Sequence, residues 1–132
     1  SDFELFIDGV SVATDSDAAT MYDSNEQVMI GIHRESGSTS DPFKGYMDEV
    51  SIWTKELTSA DVTDIYNSGA PGDLSTSGSL LSWWRMGDNN GGTGTTITDV
   101  QGTGNGSLNN AGGPGGAGSF ASGDGISSAK VP

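Results

Sequence analysis

The chain has 132 residues, of which 33% are hydrophobic and 21 are glycine. This length suits one domain with a buried core, and the glycine content favours a β-rich fold with tight turns over a helical bundle. The formal net charge is −13, which predicts no nucleic-acid partner, and no apolar stretch is long enough to predict membrane insertion.

The N-terminal part of the sequence predicts a β-hairpin. Apolar residues alternate in 3–7 and 10–12, on either side of Asp8-Gly9. This dipeptide is typical of a two-residue turn, because both central positions require positive φ. The other strands predicted in this part are 28–33 and 44–53, with polar loops at 13–27 and 34–42.

One helix is predicted, at residues 58–68. Thr58 is suited to the N-cap, and Asp61 three residues later completes a capping box. Leu57 and Val62 flank the cap as a hydrophobic staple, and Gly69 provides a left-handed stop. A helix this short is not stable alone in water, so it is expected to pack on a sheet.

The C-terminal part begins with a linker at 70–79 and a strongly apolar strand at 80–86. Trp83 and Trp84 are adjacent, so they point to opposite faces of that strand, and we expect at most one of them in the core. From residue 87 onwards glycine and asparagine dominate. The short strands or edges expected there lie at 96–98, at 107–108 and near Phe120.

Two segments resemble the end of a concanavalin A-like lectin/glucanase domain of the laminin-G/pentraxin-like branch. Residues 44–53 read Lys-Gly-Tyr-Met-Asp-Glu-Val-Ser-Ile-Trp, and residues 64–69 read Asp-Ile-Tyr-Asn-Ser-Gly. The hairpin at 5–10 resembles an upstream hairpin of the same family. This resemblance implies an all-β fold: a two-sheet antiparallel jelly-roll sandwich with one short helix.

Residues 80–88 and 99–108 instead resemble the beginning of such a domain. The chain is therefore interpreted as the C-terminal part of a sandwich at 1–79, with closing strand 44–53 and helix 58–68, followed by a Trp-rich strand and Gly-rich tail at 80–132. The second part either completes the sandwich in the same chain or is donated to a neighbour. A chain that ends soon after Trp-Trp-Arg-Met-Gly-Asp also resembles structural proteins of marine bacteriophages.

Glycanase chemistry is not expected, and no catalytic residue is predicted. Enzymes of this fold carry two acids on one strand face, whereas Asp48 and Glu49 are adjacent and would point to opposite faces of a strand. Two carboxylates must flank the glycosidic bond from suitable positions, so this pair is not suited to that task.

Calcium and sugars are the candidate ligands. The resemblance implies a structural Ca²⁺ site in which Asp88 or Asp99 approaches Asp48, with ordinary turn aspartates as the alternative. Trp53, Trp84 and Tyr46 are candidates for stacking on sugar rings, with core packing as the alternative.

The sequence therefore predicts a non-enzymatic structural or adhesive module of a virion or extracellular filament. We expect it to self-associate, or to join other subunits, through its β-sheets and Gly-rich tail at an extracellular or virion surface. The alternative is a calcium-dependent, glycan-binding, lectin-like module.

Overall fold

A computed structural model of the protein describes residues 2–16, 27–35, 38–40, 43, 47–86, 95–102 and 104–108. The elements are, in chain order, β1 (Asp2–Ile7), β2 (Val10–Ser16), β3 (His33–Glu35), β4 (Ser38–Ser40), β5 (Val50–Trp53), α1 (Ser59–Tyr66), a 3-10 turn (Asn67–Gly69), β6 (Leu80–Trp84), β7 (Thr96–Ile97) and β8 (Gly106–Ser107). Within these ranges no helix is both long and apolar enough to cross a membrane.

The strands form four antiparallel pairs: β1 with β2, β3 with β4, β5 with β6, and β7 with β8. The described part of the chain is thus mostly β with one short helix, as predicted. The full two-sheet jelly-roll sandwich stays a prediction, because each sheet in the described ranges has two strands.

The β1–β2 hairpin confirms the turn prediction. Asp8 and Gly9 have φ values of 52° and 75°, so both central residues are left-handed. β2 extends to Ser16, beyond the predicted end at residue 12, and the pairing register shifts between Leu5 and Phe6. The hairpin tip lies on the helix, because a Cβ added at Gly9 would be 2.7 Å from Cδ1 of Tyr66.

The strand predicted at 28–33 is wrong. β3 begins only at its last residue, His33, and pairs with β4 inside the segment predicted as a loop. Gly31 has a φ of 75°, which interrupts extended backbone before β3. Its carbonyl accepts a hydrogen bond from the Phe43 N–H at 2.8 Å.

The strand predicted at 44–53 is shorter than expected. β5 begins at Val50, because Glu49 has a φ of 52° and leaves the extended conformation. Residues 44–46 lie outside the described ranges. Asp48 and Glu49 therefore precede the strand, so they do not occupy opposite faces of it as expected.

The helix begins as predicted. Thr58 is the N-cap of α1, its side chain accepts from the Asp61 N–H, and the Asp61 side chain accepts from the Thr58 N–H. The left-handed ending starts earlier than predicted, at Asn67 with φ 43° and ψ 43°, and continues through Ser68 and Gly69.

The core of the described part surrounds β6. Trp83 and Trp84 expose only 2% and 7% of their surface, and Met86 is also buried. The expectation that at most one tryptophan is buried is wrong, because each ring has its own cover. Glu49 and Arg85 contact the Trp83 ring, and the Gly104 carbonyl accepts from the Trp84 ring nitrogen. Both backbone edges of β6 are also paired. β5 pairs with one edge, and the segment at Asp99 forms a bridge on the other.

The short C-terminal strands are confirmed. β7 and β8 pair antiparallel, with Thr96 opposite Ser107 and Ile97 opposite Gly106. The Leu108 N–H donates to the Thr95 carbonyl at 2.8 Å and extends this pairing. Phe120, the last residue expected in a strand or edge, lies outside the described residues.

Candidate functional site

Asp99, a predicted calcium ligand, is the most buried side chain near β6, with 2% exposure. Its Oδ1 accepts backbone N–H groups of Trp83 at 2.9 Å and Gln101 at 3.0 Å, and its Oδ2 accepts the Gly104 N–H at 3.0 Å. Its own N–H donates to Oδ1 of Asn105 at 2.9 Å. The carboxylate therefore holds the 99–105 loop against β6.

The other two predicted calcium ligands are not brought to Asp99 by any described contact. Asp48 is exposed, and its Oδ1 accepts the Glu49 N–H at 2.9 Å. Asp88 lies outside the described ranges. Among the residues described, no cluster of three or more His, Asp or Glu side chains is arranged to hold a metal. The calcium site stays a prediction.

Glu49 has a structural role that the sequence analysis did not identify. Its Oε1 accepts from Nε of Arg85 at 3.0 Å, and its Oε2 accepts from Nε1 of Trp83 at 2.6 Å. The Arg85 guanidinium lies 5.1 Å from the centre of the Trp83 ring, at cation–π distance. These contacts hold the Trp83 ring, and in the sequence this position was marked only by the Asp48-Glu49 pair within the strand predicted at 44–53.

A cleft of about 540 Å³ lies beside these contacts and is bordered by Trp83, Arg85 and Asp99. Asp73 also borders it, and hydrogen bonds from the Ser75 side chain and backbone lower the pKa of Asp73, with a smaller effect from the charge of Arg85. The Ser75 N–H donates to Oδ1 of Asp73 at 2.9 Å. The carboxylate is thus ionised at neutral pH and fixes the loop before β6.

The three predicted sugar-stacking residues have different surroundings. Trp84 is buried, and its Nε1–H donates to the Gly104 carbonyl at 2.8 Å, so its ring offers no open face in the described structure. Tyr46 lies outside the described ranges. Trp53 is half-buried at the end of β5, and its Nε1–H donates to Oγ of Ser51 at 3.0 Å.

Trp53 borders a groove of about 890 Å³ between the hairpin and the helix, which we call the hairpin groove. Its lining residues are Phe3, Glu4, Phe6, Thr14, Asp15, Ser16, Trp53, Lys55, Glu56, Leu57 and Val62. Strand alternation explains the inner wall, because Glu4 and Phe6 lie two residues apart and share one face. The staple residues Leu57 and Val62 line the opposite wall, so the predicted cap also positions the groove.

Lys55 in the groove wall is engaged with the helix N-terminus. Its Nζ lies 3.1 and 3.2 Å from the two carboxylate oxygens of Asp61. The Thr58 backbone and side chain, and then Lys55, donate hydrogen bonds that lower the pKa of Asp61 to about 2. The Asp61 carboxylate therefore stays charged and balances the lysine.

The other side of the hairpin carries an apolar surface, which we call the outer face. Phe3, Leu5 and Ile7 alternate along β1, and Val10 lies opposite Ile7 in the register. Their exposed fractions are 50%, 56%, 56% and 63%. The sequence signal was present, because Phe3, Leu5 and Ile7 occupy alternate positions and give β1 one apolar face.

Comparisons with known proteins agree with the resemblance seen in the sequence. A laminin G family model, described as concanavalin A-like lectin/glucanases superfamily, matches residues 1–63. Neither the curated proteins nor the solved structures contain a match to the chain. The similarity of the C-terminal segment to phage proteins therefore stays a prediction. Residues 1–63, which include the hairpin, β5 and the first residues of α1, are thus similar to the concanavalin A-like lectin/glucanases superfamily.

Proposed function

We propose that this chain is a non-enzymatic structural or adhesive module that self-associates through the outer face of its β1–β2 hairpin. The observation that carries the proposal is the row of four large apolar side chains there, each at least half exposed. Contiguous apolar surface of this kind marks interaction sites in soluble proteins. A two-stranded hairpin is also marginally stable alone, so covering its second face stabilises it.

Symmetry favours a second copy as the partner. An apolar face without a directional polar pattern is complementary to itself, and a two-fold axis places the same patch on both sides of the contact. The net charge of −13 opposes this contact through long-range repulsion. Salt screens that repulsion within about 10 Å at 0.1 M, so association should strengthen as ionic strength rises.

The family assignment supports a module of the lectin-like or adhesive kind, and laminin G-like domains are typically non-catalytic. We infer an extracellular or virion-surface location from the same assignment. The fold itself does not specify the partner, because unrelated functions share a fold.

Analytical ultracentrifugation tests the proposal with the Leu5→Ser/Ile7→Ser variant. We expect the wild-type chain to form dimers or larger species as its concentration and the NaCl concentration rise, and the variant to remain monomeric. Val28→Ser is the matched control, because Val28 is apolar and 71% exposed but lies outside the hairpin. A wild-type chain that stays monomeric at millimolar concentration in 0.5 M NaCl would contradict the proposal.

Glycan binding has narrower support within the described part of the chain, where Trp53 is the predicted stacking residue that lines an open groove. Its calcium dependence is tested by thermal unfolding with and without Ca²⁺. An ion that binds only the folded chain raises the unfolding temperature, and the increase grows with the logarithm of the ion concentration above its Kd.

A further inference from the structure

The hairpin groove has the size and the apolar floor of a ligand-binding site. The self-association proposed above does not use this floor. Its volume of about 890 Å³ falls in the range of about 300–1,000 Å³ that is usual for small-ligand and peptide-anchor pockets. Phe6, Trp53, Leu57 and Val62 provide aromatic and aliphatic surface from three elements: β1, the end of β5 and the helix start. The Trp53 Nε1–H is directed to Ser51, so the ring contributes apolar contact without requiring a polar partner.

The border of the groove is acidic. Glu4, Asp15 and Glu56 are exposed residues that line it. The lysine of the same wall, Lys55, lies within 3.2 Å of Asp61 and is balanced by it. The groove therefore combines an apolar floor with a border of negative charge, in a chain whose net charge is −13.

We propose that the hairpin groove binds a cationic amphipathic peptide segment. An aliphatic or aromatic side chain of the peptide packs on the floor, and flanking lysine or arginine residues face the acidic border. Charge complementarity selects this occupant, because the same field repels uronates, sulfated glycans and acidic peptides. A neutral sugar can donate hydroxyl groups to the border carboxylates but carries no charge that complements them. The aliphatic part of the floor, Leu57 and Val62, suits a peptide side chain better than a sugar ring.

This site uses mainly the other face of the hairpin. The groove is lined by Glu4 and Phe6 of the inner face, whereas self-association uses the outer face, which carries Leu5 and Ile7. Phe3 belongs to the outer face and also lines the groove, so the two sites meet at this residue. Leu5 and Ile7 do not line the groove, so replacing them tests self-association without changing a groove residue.

NMR of the tryptophan indole groups tests the proposal with three resolved probes. The Trp53 Nε1–H lies at the groove, whereas the Trp83 and Trp84 Nε1–H groups donate to Glu49 and Gly104 near the core. A short synthetic peptide in which lysine alternates with leucine should shift the Trp53 signal in a saturable way and leave the other two unchanged. The same peptide with glutamate in place of lysine should shift none.

Variants that each neutralise one carboxylate show which acidic residues contribute to peptide binding. Glu56→Gln should raise the Kd of the lysine peptide about threefold at low salt, the effect of removing one exposed ion pair. Asp64→Asn removes the same charge from α1 at an exposed position that does not line the groove, and it should leave the Kd unchanged. Leu5→Ser/Ile7→Ser should bind the peptide normally, which separates a failure of this proposal from a failure of self-association.

Three results would overturn the proposal. A neutral β-glucan oligosaccharide could shift the Trp53 signal while the lysine peptide does not, which would make the groove a sugar platform. The lysine peptide could shift Trp83 or Trp84 instead of Trp53. Glu56→Gln and Asp64→Asn could weaken binding equally, which would mean that the net charge of the chain, and not the border of the groove, attracts the peptide.

Discussion

Replacing Asp99 with alanine should destabilise the protein more than any other single change in the 99–105 loop. Three backbone N–H groups, from Trp83, Gln101 and Gly104, would lose a charged acceptor. Each hydrogen bond to a charged group contributes about 1.5–3 kcal/mol, but the exposed Gly104 amide can bond to water instead. We therefore expect a loss of about 3–5 kcal/mol in the free energy of unfolding.

Asp99→Asn provides a graded comparison. The asparagine oxygen can keep the two donors that share Oδ1, but its NH₂ group then faces the Gly104 N–H. We expect this variant to lose about 1–2 kcal/mol. Urea unfolding followed by tryptophan fluorescence measures both variants, because Trp83 and Trp84 lie beside the loop.

Two outcomes would refute this reasoning. If Asp99→Ala loses less than about 1 kcal/mol, the buried carboxylate does not hold the loop. If Ca²⁺ stabilises the wild-type chain but not Asp99→Ala, the residue acts as a metal ligand, as the sequence resemblance implied.

Three further predictions concern single positions. Glu49→Gln should lower the free energy of unfolding by about 1–2 kcal/mol, because one of its two donors, Trp83 or Arg85, loses its acceptor. Urea titration measures this change, and an unchanged unfolding midpoint would contradict it. Gly9→Ala should lower the free energy of unfolding by about 1–3 kcal/mol by the same method. The φ of Gly9 is 75°, and the added Cβ would lie 2.7 Å from the Tyr66 ring. An unchanged free energy would show that the hairpin tip does not pack on Tyr66. The pKa of Asp61 is lowered in the folded state from 3.8 to about 2, so its stabilising effect is complete above pH 4 and is lost as the pH falls to 2. Asp61→Asn, in which the Thr58 cap loses its charged partner, should therefore show a smaller drop in unfolding temperature than the wild type between pH 4 and pH 2, measured by circular dichroism.

The features that the sequence predicted correctly depend on neighbouring residues. The Asp8-Gly9 turn requires two left-handed residues, and the Thr58 cap requires Asp61 three positions later. Both features depend on residues that lie within four positions of each other, so residue type and spacing are sufficient to predict them. The staple of Leu57 and Val62 is equally local, so the sequence predicted the residues of one groove wall. It did not predict the groove, because the other wall comes from the distant hairpin.

The errors arose where backbone conformation or burial depends on distant contacts. Glu49 is left-handed and bonds to Trp83 and Arg85, which are 34 and 36 residues away, so an apparently continuous strand begins only at Val50. Trp84 is buried because Gly104 lies over its ring nitrogen, 20 residues later. No period-2 pattern in the sequence encodes such partners.

The position of the core explains how the family segment is stabilised. All buried apolar side chains of the described ranges, Trp83, Trp84 and Met86, lie C-terminal to the matched residues 1–63. Inside the match, β5 reaches this core by pairing with β6, with Val50 opposite Trp84. The hairpin instead packs on α1 and leaves its outer face exposed. The two parts of the matched segment therefore have different surroundings. β6 covers β5 within the same chain, whereas the outer face of the hairpin is exposed, and this is the surface that the proposed second copy would cover.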